Sequence, residues 1–284
     1  MSNILLPAIM LILAALSFYP ALVTQLFSFG GKTAACAGAD LAGSIPVLGE
    51  TGGYITAAID LHHLSLHQYF TILIESTRFH TSFWKSCEYS LLIAAGQVIA
   101  GSMAAFAFSG FSFRGRNTLF FIFITAMMMP FHVTMVPNFI TLKALGIMGK
   151  DAAIILPGIF SAFGVFLLRQ FMTGIPDSVV EAAQIDGAGP FSIFFSIILP
   201  MSREGIAALL ILSFIDTWNM VEQPLVFLSD IDRMPLSIII REAINHAGEI
   251  VFAPSVLFML PAILIFLIFE KPLIGGIEKG WGKA

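Results

Sequence analysis

Apolar runs of about twenty residues, parted by shorter polar stretches, dominate this chain. A helix needs about 20 apolar residues to cross a bilayer. Six stretches reach roughly that length, at 4–26, 89–108, 119–139, 152–171, 205–228 and 251–269. Barrel strands would instead show about ten residues of alternating pattern. The pattern therefore predicts an all-α integral membrane protein with six transmembrane helices. The first run follows Met1-Ser2-Asn3, which has no Lys or Arg, and it is too long for a signal-peptide core. It reads as a retained helix. The expected layout is a first helix at 1–26, an enlarged first extracytoplasmic loop at 27–88, and a five-helix core at 89–284.

Prolines punctuate these runs at Pro7, Pro20, Pro130, Pro137, Pro157 and Pro261. Each removes a backbone donor and can kink its helix. Such breaks suit a bundle that lines a pathway, where neighbours or water satisfy the freed carbonyls. Ordinary enrichment of proline in membrane helices explains any single one equally well.

Composition agrees with the pattern. The chain is 57% apolar and 11% charged, with a mean hydropathy of +0.91, whereas soluble domains carry about 25% charged residues. The net charge of −4 gives no reason to expect nucleic acid. In the 27–88 loop, His63 and His67 stand four apart, with His62 and His80 nearby, but no carboxylate or cysteine completes a metal site. The loop is expected to be a small extracytoplasmic cap. Cys36 and Cys87 form no CxxC, and whether they pair stays open. Gly31-Lys32-Thr33 resembles the end of a P-loop, but Leu26 stands where its first glycine belongs and no strand precedes it. The chain is expected to bind no ATP and to hold no cofactor of its own.

The stretch 177–200 is polar, helix-forming and glycine-punctuated, yet lies between two long apolar runs. Pro176-Asp177 should start a helix, with Asp177 capping its free N–H groups. Gly187 should end it in a left-handed conformation that glycine adopts at little cost. Phe191, Ile193, Phe194 and Ile197 then begin a second amphipathic piece leading to Pro200. A helix lying on the membrane surface would favour Lys and Arg on its polar face. Here that face carries Glu181 and Asp186, which suits a basic protein partner better.

Glu181-Ala182-Ala183, Asp186-Gly187 and Leu199-Pro200 together resemble the EAA loop of ABC-importer permeases. Met127-Met128-Met129-Pro130, Arg169-Gln170-Phe171, Ile175-Pro176, Trp218-Asn219 and Pro224-Leu225 are similar to the carbohydrate-uptake permeases of the maltose-transporter type, and to the smaller of their two permeases. The resemblance covers about residues 85–284. It departs at Tyr89, where the family has an asparagine before Ser90-Leu91. What the resemblance implies is a bacterial inner-membrane subunit with both termini cytoplasmic. It would pair with a second permease, be driven by two ATPase subunits that bind ATP and Mg²⁺, and receive cargo from an extracytoplasmic binding protein. Glu181, Ala182, Ala183, Asp186 and Gly187 would couple it to the ATPase. Lys and Arg balance across the expected loops, so orientation rests on this resemblance.

Asp216, Asn219, Glu222 and Gln223 fall within about 120° of arc if 205–228 is one helix, with Trp218 at the border. Carboxylates at bilayer depth are costly and should face a cavity or the bundle interior. These groups can hydrogen-bond sugar hydroxyls, and an indole face suits a sugar ring. Asp216, Trp218, Asn219, Glu222 and His132 are therefore pathway candidates. The alternatives are Glu222 and Gln223 at an outer mouth, Asp216 paired with another helix, and His132 simply packed. The functional expectation is an importer of a sugar or oligosaccharide working by alternating access. Rivals are a phosphorylated polyol or other small solute as cargo, a proton-coupled secondary transporter, and a membrane scaffold.

Overall fold

The structure, a computed structural model, describes residues 17–19, 21–22, 24–25, 28–29, 66–240 and 252–281. Most of the expected first span and most of the 27–88 loop, with Cys36, His62 and His63, lie outside them. Among the described residues the regular structure is entirely helical. In chain order come α1 (Thr77–Gly110), α2 (Arg116–Met127), α3 (Phe131–Ala144), α4 (Ala152–Ile159) and α5 (Ala162–Met172). After these come α6 (Asp177–Ile185), α7 (Pro190–Met201, which includes a π turn), α8 (Arg203–Trp218), α9 (Glu222–Phe227) and α10 (Phe252–Trp281).

Two helical stretches are long and apolar enough to cross a bilayer unaided, Thr77–Gly110 and Ala152–Met172. Two more qualify only as bent pairs: α2 with α3, at 102°, and α7 with α8, at 73°. The six-span expectation took 119–139 as one helix, but α2 ends at Met127 and α3 restarts at Phe131. Pro130 causes the break, because it has no N–H to give and its ring would meet the Ala126 carbonyl of a continuous helix. The expected helix 205–228 is also broken, at 219–221. There Pro224 excludes the bond to the Met220 carbonyl, and the chain restarts as α9. Between α4 and α5 the chain opens at Phe160–Ser161, and the Ser161 hydroxyl accepts from the Gly164 N–H at 3.1 Å to cap the restart.

The chain divides into two units. One comprises Met1–Phe83 with Leu236–Pro261. Its core is Ile72, Phe79, Leu236 and Ala253, and helix α1 starts within it at Thr77, twelve residues before the expected span. His80 Nε2 lies 2.7 Å from the Leu73 carbonyl. No group of three His, Cys, Asp or Glu able to hold a metal occurs among the described residues.

The other unit comprises Trp84–Pro235 with Ala262–Ala284. Here α5 is the central helix, packing on both α2 and α8. Small residues set the spacing. A Cβ on Gly101 of α1 would meet the Gly164 backbone of α5 at 3.5 Å, and one on Gly164 would meet Leu209 of α8 at 3.3 Å. Lipid tails are as apolar as leucine, so such contacts hold by close fit and dispersion rather than by exclusion of water.

Candidate functional site

Helix α6 opens the segment 177–200. Pro176 is its N-cap, and Asp177 is its first helical residue, making no side-chain cap bond. The expected Asp177 cap is therefore absent: the residue sits one position too late, and only its charge serves the helix end. At the other end the Ala188 N–H bonds to the Ala183 carbonyl at 2.9 Å and the Gly187 N–H to the Gln184 carbonyl at 3.0 Å. This pair of bonds is a Schellman closure, and it needs a left-handed residue. Gly187 supplies it with φ of +80°.

The inner face of this segment is anchored. Val180, Ala183 and Ala188 pack against a cluster of Ala105, Leu168, Met172, Ile193, Ile198 and Leu209, drawn from α1, α5, α7 and α8. The outer face is bare. Glu181, Ala182 and Asp186 are exposed, Ile185 is 86% exposed and Phe191 is 75% exposed. An apolar centre beside two carboxylates is the composition of a protein contact, and isolated monomers seldom leave such side chains uncovered.

A second site lies at the far end of α8. Asp216, Asn219, Glu222, Gln223, Phe131, Ile215, Met220 and Val221 line a cavity of about 570 Å³. Because α8 stops at Trp218, these groups meet through a helix break and not through one continuous face. At the break the Ile215 carbonyl accepts from both the Asn219 side-chain amide, at 2.7 Å, and the Asn219 backbone N–H, at 3.2 Å. His132, in the first turn of α3, brings Nε2 to 3.6 Å from Glu222 Oε1, and both side chains are exposed. Trp218 does not line this cavity. It is 1% exposed and stacked on Phe214, with ring centroids 5.4 Å apart. Trp218 and Phe214 are four residues apart on α8 and share its buried face.

A third constellation escaped the sequence reading. Tyr89 on α1 is fully buried, and its hydroxyl donates to Asp151 Oδ1 at 2.7 Å, with the Arg233 carbonyl 3.0 Å away. Lys85 Nζ reaches Asp151 Oδ2 at 3.0 Å and Glu88 at 2.8 Å, and Arg233 reaches Asp151 Oδ1 at 3.0 Å. Burial would raise the Asp151 carboxyl, but the Tyr89 hydroxyl, Lys85 and Arg233 outweigh it and hold the group below its ordinary value. Arg233, bonded to Asp151, is pushed up. Asp151 precedes the span Ala152–Met172, while α6 follows it, so this clamp lies at the end opposite the docking segment. Its partners are 62 and 144 residues apart along the chain, so no local pattern announces it. Cys87, nearby on α1, is a half-buried free thiol.

Residues 97–271 match the family described as binding-protein-dependent transport system inner membrane component. The chain is 32% identical over 232 residues to the arabinooligosaccharides transport system permease protein AraQ of Halalkalibacterium halodurans, covering 81% of this chain and 83% of that one. It is 33% identical over 201 residues to the sn-glycerol-3-phosphate transport system permease protein UgpE of Brucella abortus, covering 69% and 71%. Its fold is similar to a chain of a bacterial ABC transporter involved in import of the acidic polysaccharide alginate. The TM-score is 0.80 at 21% identity, over 95% of each chain. The family match and these relatives agree: the chain belongs to the binding-protein-dependent transport system inner membrane components, as a permease subunit of an ABC importer whose ATP hydrolysis resides in a separate subunit.

Proposed function

We propose that this permease moves a sugar or oligosaccharide inward by alternating access, and that residues 177–200 couple it to the ATPase. One observation carries the reading. The docking segment packs on α8 through Leu209, and Asp216 lies near the other end of the same helix. At 1.5 Å per residue, Leu209 and Asp216 are about 10 Å apart along one rigid element. A push on α6 and α7 therefore reaches the cavity without an intervening loop. In this reading Glu181 and Asp186 meet basic residues of the ATPase, and Ala182, Ile185 and Phe191 fill its groove. Two ATPase subunits carry ATP and Mg²⁺, a second permease completes the pathway, and both termini and the 177–200 loop face the cytoplasm.

The cavity supplies Asp216, Asn219, Glu222 and Gln223 as partners for sugar hydroxyls, and Phe131 as an apolar surface for ring C–H groups. The arabinooligosaccharide name of one relative supports this cargo class. The glycerol-phosphate relative favours a second reading, a phosphorylated polyol. Two carboxylates against one histidine oppose it, because an anion brought there meets like charge. The test is uptake of labelled sugars and of glycerol phosphate into proteoliposomes holding the whole transporter, its binding protein and internal ATP. Uptake of sugars that needs ATP and survives a protonophore supports the proposal. Uptake abolished by the protonophore and indifferent to ATP would identify a secondary transporter instead.

A further inference from the structure

At the end of the bundle that bears α6, three arginines stand without an acidic partner. Arg114 and Arg116 flank Gly115 in the turn between α1 and α2, and Arg169 lies in the last turn of α5. Among the described residues, no ion pair includes any of the three. Arg116 Nη1 donates to the Phe111 carbonyl at 3.3 Å, and Arg169 Nε to the Phe108 carbonyl at 3.5 Å. The Arg169 guanidinium lies 3.9 Å from the centre of the Phe120 ring. Arg116 and Phe120 are four residues apart on α2 and share a face. Two guanidinium groups thus converge on one face with no counter-ion.

The surroundings indicate which anion fits. Phe111, Phe113, Leu119 and Phe121 are exposed beside the arginines, at 43%, 41%, 46% and 67%. Arg116 also lines a cavity of about 370 Å³ between the turn, the end of α5 and α6. Asp177 borders this cavity but forms no ion pair with Arg116. A soluble anion has no use for an apolar rim, whereas a lipid needs both features: a basic pocket for its phosphate and an apolar wall for its chains.

We infer that Arg116 and Arg169 hold the phosphate of an anionic phospholipid, with its headgroup at the mouth of this cavity and its acyl chains along Phe113 and Phe121. Guanidinium forks match phosphate oxygens, and basic side chains at helix ends draw anionic lipids. The bound lipid would touch the wall on which α6 rests. This inference requires the span Ala152–Met172 and the bent pair α2 with α3 to lie in the bilayer; it does not depend on the cargo or on the ATPase contact.

The test is native mass spectrometry of the purified transporter, delipidated and titrated with phosphatidylglycerol or with phosphatidylcholine. The expected result is preferential retention of phosphatidylglycerol, weakened roughly five-fold by each of Arg116→Gln and Arg169→Gln. Arg116→Lys, which keeps the charge, should retain most of the preference, and a near-native melting temperature shows that a variant is folded. Equal retention of both lipids, or no loss in the double Gln variant, would overturn the inference. So would displacement of the lipid by inorganic phosphate alone, which would assign the site to a free anion. Loss of the ATPase from the variants with lipid retention unchanged would also overturn it, making the arginines a protein contact.

Discussion

Replacing Tyr89 with phenylalanine removes one oxygen from the clamp at Asp151 and leaves the ring in place. Tyr89 is wholly buried, so the variant creates no cavity of note and exposes nothing new. What it deletes is a 2.7 Å hydrogen bond to a carboxylate. Bonds to charged acceptors are worth roughly 1.5–3 kcal/mol net. Asp151 is itself 24% exposed and keeps Lys85 and Arg233, so water and the remaining cations recover part of that. The expected loss is about 1–2 kcal/mol, or on the order of 2–6 °C in melting temperature for a chain of this size. Thermal unfolding in detergent, followed by tryptophan fluorescence, reads it directly. Asp151→Asn should cost as much or more, because Lys85 and Arg233 lose their shared carboxylate at once and keep only Glu88 and Asp230. The double variant should cost less than the sum, by about 1 kcal/mol, since both changes cut one network. A melting temperature for Tyr89→Phe within a degree of the wild type, or strictly additive losses, would refute the clamp.

Acid should erase the same difference. Asp151 titrates below its ordinary value when folded, so its contribution is present above the unfolded carboxylate pKa of about 3.9 and is lost as pH falls through the folded one. The stability gap between wild type and Asp151→Asn should hold at neutral pH and narrow below about pH 4, and an unchanged gap in acid would contradict the assignment. Gly187→Val places a β-branched residue at φ of +80° and should cost about 1–2 kcal/mol, with α6 loosened and ATPase capture weakened while the cavity is untouched; ATPase co-purification at the wild-type level would count against it. Gly205→Val sets its Cβ about 2.6 Å from the Phe171 ring, so α5 and α8 must part; a melting temperature equal to the wild type's would show that the two helices yield freely. Asp216→Asn with Glu222→Gln removes both cavity carboxylates, and uptake of neutral sugars should fall while exclusion of anionic solutes relaxes. Unchanged uptake of both would place the cargo elsewhere.

The helix and stop of the 177–200 segment were legible because their determinants are local. A helix after Pro176 and a stop at Gly187 follow from backbone rules that need no tertiary knowledge, and both are present. Asp177 shows the grain of that reading: its charge is where the helix end needs it, but one residue of register moves it from cap to first turn. Pro130 was visible as a break, but whether it bends a helix or ends it depends on what can satisfy the freed carbonyls, and Pro224, which breaks the expected 205–228 helix, was read only as part of a resemblance. Asp216, Asn219 and Glu222 do surround one cavity, by way of a break that a continuous helical wheel does not contain. The same wheel put Trp218 at the edge of that face, and α8 packs it inward, stacked on Phe214 one turn earlier on the same helix. Tyr89 was noticed only as a residue unlike the family's asparagine. Its partners lie too far along the chain for any spacing rule to join them.

Glu181→Lys reverses the charge at the centre of the bare face and is exposed enough to leave the fold intact. The decisive measurement is ATP-dependent sugar uptake by the reconstituted transporter carrying it, read alongside the amount of ATPase that co-purifies. The account predicts that both fall together while the melting temperature of the permease stays put. Full uptake and full ATPase capture in Glu181→Lys would contradict the claim that this face is where ATP hydrolysis takes hold of the permease.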